Sequence, residues 1–115
     1  MGGLTQLRDS LRQFAAERDW DQFHSPKNLA MALAVEAAEL LERFQWTTEE
    51  DSKHLPPDEL VRVREEMADV LNYLVRLADK LDVNLLEAAR DKVALNALKY
   101  PVEKSRGSSK KYSEL

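Results

Sequence analysis

The chain has 115 residues, a formal net charge of −4 at pH 7 and no cysteine. Its length suits one compact domain with a single core. The lack of cysteine excludes a disulfide scaffold, a thiolate zinc site and a cysteine nucleophile. Because proteins hold nucleic acid phosphates with an excess of lysine and arginine, the negative net charge argues against binding to a nucleic acid polymer.

Helices are expected to dominate, since 33% of the residues are charged, 43% are hydrophobic and only 3 are glycine. No apolar run approaches the roughly 20 residues that a membrane-spanning helix needs. The first residues, MGGLTQLRDSLRQF, lack the hydrophobic stretch of a signal peptide. We therefore expect no membrane contact and a cytoplasmic location.

Two helices are predicted in the first half of the chain. The first runs from Leu4 to Glu17, where apolar residues recur at steps of three and four. Ser25 followed by Pro26 has the pattern of an N-cap and a first helical residue, so the second helix begins near Pro26. Its apolar stripe fades near Trp46, and a polar loop is expected up to Pro57.

Two further helices are predicted in the second half. Asp58 is expected to cap a long helix whose wide apolar face continues to Leu81. The last helix takes in Leu85 to Leu98 before Pro101 stops it.

Together these elements predict an all-α, four-helix bundle-like fold. Residues 1–103 are expected to form a single domain, and residues 104–115 a flexible, polar and basic tail. The summed apolar faces of the helices look wide for a monomer with so few aromatic side chains. We therefore expect a homo-oligomer.

Two pairs of carboxylates interrupt the apolar faces. In the second predicted helix, Glu36 lies inside the stripe that should be buried, and Glu39 follows about one turn later. The third helix repeats the arrangement with Glu66 and Asp69. Facing carboxylates repel unless protons or cations intervene, and hard divalent cations prefer oxygen ligands. The pairs therefore predict a Mg²⁺ site in which Mn²⁺ can substitute.

One alternative stays open, because acidic pairs at this spacing also arise by chance on solvated helices. The chain would then be a non-catalytic helical oligomerisation module. A di-iron carboxylate bundle is set aside, since it expects Glu-x-x-His pairs. The two histidines, His24 and His54, fall in predicted connections.

The pattern Glu36-x-x-Glu39 followed by Glu66-x-x-Asp69 resembles the ExxE and ExxD signature of the all-α MazG-like nucleotide pyrophosphohydrolases. Further segments are similar to the dCTP pyrophosphatase branch of that family: FAAERDW (14–20), FHSPKNL (23–29), FQW (44–46), Tyr100-Pro101 and SSKKYSEL (108–115). The resemblance runs from Phe14 to the last residue, with its clearest gap from Thr47 to Pro57.

The resemblance implies a MazG-type fold and a Mg²⁺-dependent hydrolysis of a nucleoside triphosphate to its monophosphate and pyrophosphate. It assigns the metal and the catalysis to four carboxylates, Glu36, Glu39, Glu66 and Asp69. Glu39 is a candidate for activating the water. The family also implies a dimer of dimers and a role in cleansing the nucleotide pool. The substrate stays open between dCTP with its 5-modified forms and a broader set of triphosphates.

Eight residues are candidates for binding the nucleotide: Trp20, His24, Asn28, Trp46, Tyr73, Lys92, Asn96 and Tyr100. Trp46 shares the face of Glu39 if the helix reaches it, and Tyr73 lies one turn beyond Asp69. By the resemblance, Trp20 belongs to the base pocket, and the region of Lys92 and Asn96 contacts the triphosphate. The plainer alternatives are aromatic side chains that plug the end of the bundle and a histidine that caps a helix.

Overall fold

The computed structural model describes residues 2–115, and this part of the chain contains helices but no strand. In chain order, the α-helices are α1 (Gly3–Glu17), α2 (Pro26–Glu42), α3 (Glu49–Ser52), α4 (Pro57–Lys80), α5 (Leu85–Lys99) and α6 (Val102–Ser105). Short 3-10 helices lie at Asp21–Phe23 and Tyr112–Glu114. The prediction of an all-α chain is confirmed, whereas the four-helix arrangement stays a prediction.

The chain divides into two compact units, of which the first ends at Asp82 and the second is Val83–Leu115. The first carries α1 to α4 and the second carries α5 and α6. The domain predicted over residues 1–103 and the flexible tail after it stay predictions. Met1, the first residue of that domain, lies outside the described residues.

Helix α4 is central to the first unit, because both α1 and α2 pack against it. All three helices contribute to the core of this unit, whose buried apolar residues are Ala15, Leu29, Val63, Val75 and Ala78. The packing of α2 along α4 is what brings the two predicted acidic pairs to the same region of the unit.

The predicted start of α2 is confirmed. The side chain of Ser25 accepts a hydrogen bond from the backbone N–H of Asn28 (3.1 Å), and Pro26 is the first helical residue. Asn84 caps α5 in the same way, by accepting from the N–H of Glu87 (3.0 Å). These side chains satisfy N–H groups that have no partner inside the helix.

The predicted end of α2 was wrong, because the helix stops at Glu42 and Trp46 follows it in a turn. The loop predicted before Pro57 also contains α3. Thr48 caps this short helix by accepting from the N–H of Asp51 (3.0 Å). A threonine that caps a new helix takes extended backbone angles, which prevents the preceding helix from continuing through it.

The predicted cap of α4 was wrong as well. Pro57 is the first helical residue and Pro56, with ψ 150°, holds the cap position, so Asp58 lies inside the first turn. A proline disfavours helical angles in the residue before it and is itself preset for the first helical position. Asp58 still favours this end of the helix, because its charge opposes the positive end of the helix dipole.

The second unit has no buried side chain on its longest helix, α5. Large apolar side chains are exposed along this helix: Leu86, Val93, Leu95 and Leu98. None of the helices described over residues 2–115 combines the length and the apolar character needed to cross a bilayer.

Candidate metal centre and nucleotide site

Three carboxylates from α2 and α4 form an acidic cluster in the first unit. One oxygen from each of Glu36, Glu39 and Glu66 lies within 4.8 Å of the other two. Glu36 and Glu39 stand one turn apart on α2, and Glu66 meets them from α4 because the two helices pack together. Carboxylate oxygens from two rigid helices are thus gathered at a spacing that one cation can bridge.

Two carboxylates of the acidic cluster have buried oxygens without partners. The Oε2 atoms of Glu36 and Glu66 are buried and have no hydrogen-bond partner in the described chain. Burial raises the pKa of Glu36 to about 7, with further contributions from its contact with Glu39 and from nearby charges. Burial also raises the pKa of Glu66, and the charge of Glu39 adds to this effect. The cluster is therefore stable only with protons or a cation between its oxygens.

The fourth predicted ligand, Asp69, lies beside the acidic cluster. Its side chain is exposed, and it is not among the three carboxylates that converge. Its charge is nevertheless close enough to contribute to the raised pKa of Glu36, after burial and the contact with Glu39. Tyr73, one turn further along α4, is half-buried.

A cavity of about 390 Å³ opens next to the acidic cluster, and its lining residues are Glu39, Glu42, Arg43 and Glu66. This volume is in the range of small-molecule sites. Arg43 supplies a positive charge, and its guanidinium lies 3.4 Å from a carboxylate oxygen of Glu59. Arg43 was not predicted from the sequence, although its position one turn after Glu39 places it on the same side of the helix as that carboxylate.

The aromatic segment between α1 and α2, together with the first turn of α2, contains three of the predicted nucleotide residues. Trp20 packs edge-on against Phe14, with 5.7 Å between the ring centres, and stays 45% exposed. The side-chain amide of Asn28 donates to the backbone oxygen of Phe23 (3.0 Å) and so closes the turn. His24 is half-buried. The structure thus brings Trp20, His24 and Asn28 into one segment, and their binding of a nucleotide stays a prediction.

A buried arginine that the sequence analysis did not single out lies under this segment. Arg76 is 5% exposed, and it hydrogen bonds to Asp21 (2.9 Å) and Asp79 (3.4 Å). Its position within the apolar face of α4, next to Val75 and two residues before Ala78, already indicates a buried charge. A guanidinium on a buried face needs acidic partners.

The remaining four nucleotide candidates are divided between the two units, one in the first and three in the second. Trp46 is 89% exposed in the turn after α2, so the predicted shared helical face with the carboxylates is not formed. Lys92 and Asn96 are exposed on α5, and Tyr100 is half-buried with its ring centre 6.1 Å from that of Tyr112. These three belong to the second unit.

Known proteins resemble this chain over most of its length. The model of the MazG-like family matches residues 31–115. The dCTP pyrophosphatase 1 of Mus musculus is 47% identical over 114 residues, which cover 97% of this chain and 67% of that protein. The Homo sapiens protein of the same name is 46% identical, with the same coverage of 97% and 67%. A pyrophosphatase from Archaeoglobus fulgidus, known from a crystal structure, is 43% identical with a TM-score of 0.77, and the match covers 88% of this chain and 94% of that one.

Proposed function

Since this chain belongs to the MazG-like family, we propose that it hydrolyses dCTP, including forms modified at the 5 position, to the monophosphate and pyrophosphate with the help of Mg²⁺. Its class is that of the nucleoside triphosphate pyrophosphohydrolases, as for its dCTP pyrophosphatase relatives. The observation that carries the proposal is the acidic cluster, with its two buried carboxylate oxygens left without partners.

The residues of the acidic cluster fit a divalent cation. Buried, unpartnered oxygens of Glu36 and Glu66 lie close to an oxygen of Glu39, which is the oxygen-rich environment that Mg²⁺ and Mn²⁺ favour. These three carboxylates would hold the ion, with Asp69 next to them. When bound, Mg²⁺ would neutralise charge on the phosphate oxygens and lower the pKa of a water molecule.

The protein's own residues have separate roles in the proposed reaction. Glu39, which belongs to both the acidic cluster and the cavity wall, would accept the proton of the attacking water. As the water oxygen bonds to phosphorus, the bond between that phosphorus and the departing pyrophosphate breaks. Arg43 would counter the charge that develops on the phosphate oxygens, since it is the cationic residue of the cavity wall.

We propose that the base is bound by the aromatic segment before α2. The half-exposed ring of Trp20 offers a stacking surface, and His24 and Asn28 offer hydrogen-bonding groups near it. The exposed ring of Trp46 would offer a second stacking surface to the base, and Tyr73, one turn beyond Asp69, would offer its hydroxyl to a phosphate or the sugar. Lys92, Asn96 and Tyr100 would meet the triphosphate.

The exposed apolar side chains support self-association. In the first unit they include Met31, Val35 and Leu41 on α2, each of which is more than half exposed. Large apolar side chains left open to water in this number are typical of a surface that another subunit covers. We propose a dimer of dimers, as the family resemblance implies.

The test is pyrophosphate release from a panel of nucleoside triphosphates with Mg²⁺. We expect release selective for dCTP and its 5-substituted forms. Glu39→Gln should reduce kcat by about 100-fold or more, because it removes a group that acts in the reaction itself. The matched control is Glu65→Gln, since this exposed neighbour of Glu66 lies outside the acidic cluster.

Release from many triphosphates would keep the enzyme class and contradict the dCTP preference. Equal loss of activity in Glu39→Gln and Glu65→Gln would contradict the assignment of the acidic cluster. No release from any triphosphate by the folded native protein would contradict the proposed function.

A further inference from the structure

Arg76 is the one charged side chain that is buried among residues 2–115. The buried apolar residues Val75 and Ala78 flank it on α4. Burying a guanidinium carries a large unfavourable desolvation free energy, and ion pairs at best offset it. Core packing alone therefore does not account for a charge at this position, and its partners indicate what it does.

The partners of Arg76 lie mainly in residues 19–24, which we call the aromatic turn. Its guanidinium donates to Asp21 (2.9 Å), and its nitrogens lie 3.2 and 3.4 Å from Nδ1 of His24. Lys80, one turn further along α4, donates to the same oxygen of Asp21 (2.5 Å). Arg76 thus contacts the first residue of the short 3-10 helix and the residue that follows its end, and Lys80 contacts the first residue as well.

The aromatic turn has supports besides Arg76, including the hydrogen bond from the side-chain amide of Asn28 to the backbone oxygen of Phe23 (3.0 Å) and the edge-on contact of Trp20 with Phe14. The turn begins at Asp19, whose φ of 53° lies in the left-handed region and reverses the chain after α1. The backbone N–H of Trp20 then donates to the carbonyl of Ala15 (2.9 Å). Trp20, Asp21 and Phe23 are nevertheless exposed, so apolar burial holds the turn only in part and the contacts of Arg76 add to it.

Helix α4 connects the aromatic turn to the acidic cluster. Glu66, Asp69, Tyr73 and Arg76 follow one another at steps of three or four residues, which places them along one face of the helix. One end of this face carries a carboxylate of the acidic cluster, and the other end carries the anchor of the turn. A rigid helix keeps the separation between the two ends fixed.

We infer that Arg76 is a positioning residue for the nucleotide: by clamping the aromatic turn to α4, it holds Trp20 and His24 in fixed register with the acidic cluster. This inference rests on the proposed function, because the register matters only if the turn binds the base. Arg76 itself does not touch the reacting atoms. It acts through the residues that it holds.

The clamp also determines which nitrogen of His24 carries the proton. Burial lowers the pKa of His24 and the charge of Arg76 lowers it further, while Asp21 opposes this effect and Lys80 adds to it. The ring is therefore neutral at pH 7. Because Nδ1 accepts from Arg76, Nε2 carries the proton and is the donor available to a ligand.

The test compares Arg76→Lys with Arg12→Lys. A lysine keeps the charge of Arg76, but a single ammonium lacks the planar fork that reaches Asp21, His24 and Asp79 together. Arg12 is a matched control, because it also donates to Asp79 (2.7 Å) but comes from α1 and does not contact the aromatic turn.

The first readout is independent of activity. The chain has 2 tryptophans, so a Trp46→Phe background leaves Trp20 as the single tryptophan, whose fluorescence is excited apart from that of the tyrosines. Acrylamide quenching of Trp20 is measured in the metal-free protein. We expect the quenching constant to rise by roughly 1.5-fold to 2-fold in Arg76→Lys, because the turn opens locally, and to stay unchanged in Arg12→Lys.

The second readout is steady-state hydrolysis of dCTP with Mg²⁺, in proteins that keep Trp46. We expect Arg76→Lys to raise KM about tenfold while kcat changes less than about twofold, because nucleotide binding weakens but the acidic cluster stays intact. The concentration of Mg²⁺ that gives half-maximal rate should not change. Arg12→Lys should leave KM within about twofold of the native value.

Unchanged quenching in Arg76→Lys would overturn the inference, and so would a fall in kcat at unchanged KM. If native protein cleaves no triphosphate, the proposed function fails, and the quenching result alone decides whether Arg76 clamps the turn. If Arg76→Lys does not fold, Asp21→Asn weakens the same clamp from its exposed side and must give the same two changes.

Discussion

The buried oxygens of Glu36 and Glu66 control how the protein responds to pH. The pKa of Glu36 rises from an ordinary 4.5 to about 7 in the folded chain, because of burial first and the neighbouring carboxylates second. A raised pKa means that the folded state holds the proton more tightly than the unfolded state. The resulting stabilisation is fully present below about pH 4.5 and is lost as the pH rises through about 7.

We therefore expect the melting temperature of the metal-free protein, measured in a chelator, to fall between pH 5.5 and pH 8. Replacing Glu36 with glutamine should flatten this fall, because the amide has no charge to desolvate. Added Mg²⁺ should raise the melting temperature more at pH 8, where the carboxylates are ionised, than at pH 5.5. Differential scanning calorimetry at several pH values makes the comparison.

His24 contributes to the same pH range with the opposite sign. Its pKa is lowered, by burial first, so its contribution to stability is lost as the pH falls below 6.5. Both the native protein and Glu36→Gln contain His24. Subtracting the melting temperature of one from that of the other at each pH therefore removes the contribution of His24. A melting temperature that changes with pH to the same extent in both proteins would contradict the role of Glu36.

Single residues differ in how far the sequence reveals their role. Glu36 and Glu66 were predicted because a carboxylate inside an apolar helical stripe is conspicuous at a spacing of 3.6 residues. Arg76 breaks the stripe of α4 in the same manner. Its main partner, Asp21, lies 55 residues away in a turn, and no periodicity relates the two. Pairings of this kind depend on how the chain folds back, which a local pattern does not record.

At the level of elements, most boundaries of the four predicted helices were correct, and the two that were wrong are the end of α2 and the start of α4. Ser25 and Pro26 predict the start of α2, because a hydroxyl side chain is favoured at the N-cap and a proline at the first helical position. The end of α2 has no comparable signal before Trp46, and the helix stops at Glu42, six residues before Thr48 caps α3. The start of α4 was misplaced because Asp58 is a favoured N-cap residue, whereas in the structure Pro56 holds the N-cap position and Pro57 is the first helical residue.

The cap of α2 makes a prediction about stability. Ser25→Ala removes the acceptor of the Asn28 N–H and should lower the free energy of unfolding by about 1 kcal/mol. Urea denaturation measures the change. Thr48→Ala removes the same kind of cap from α3, but this helix has only 4 residues and none of them is buried. Its loss should cost less than half as much, and an equal or larger cost would contradict the view that α2, which packs on α4, contributes more to the stability of the first unit than α3 does.

At the level of the whole molecule, helical periodicity shows which face of a helix is apolar but not what covers it. The sequence predicted four apolar faces, and the structure leaves many of these side chains exposed on both units. Another subunit would cover these side chains, and self-association stays a prediction. The arrangement of subunits depends on the complementarity of whole surfaces, so it is not contained in any single helical pattern.

The last prediction concerns the exposed apolar side chains of α5. Val93 and Leu98 are 68% and 80% exposed in the single chain, so in an assembly they gain most from burial. The double variant Val93→Glu, Leu98→Glu should give a smaller mass by size-exclusion chromatography with light scattering, because burying two added charges at an apolar contact is unfavourable. Arg90→Glu adds the same negative charge at an exposed position of the same helix and should leave the mass unchanged. If both variants dissociate alike, the added negative charge and not the loss of these apolar side chains causes the dissociation. If both keep the native mass, α5 lies outside the contact between subunits.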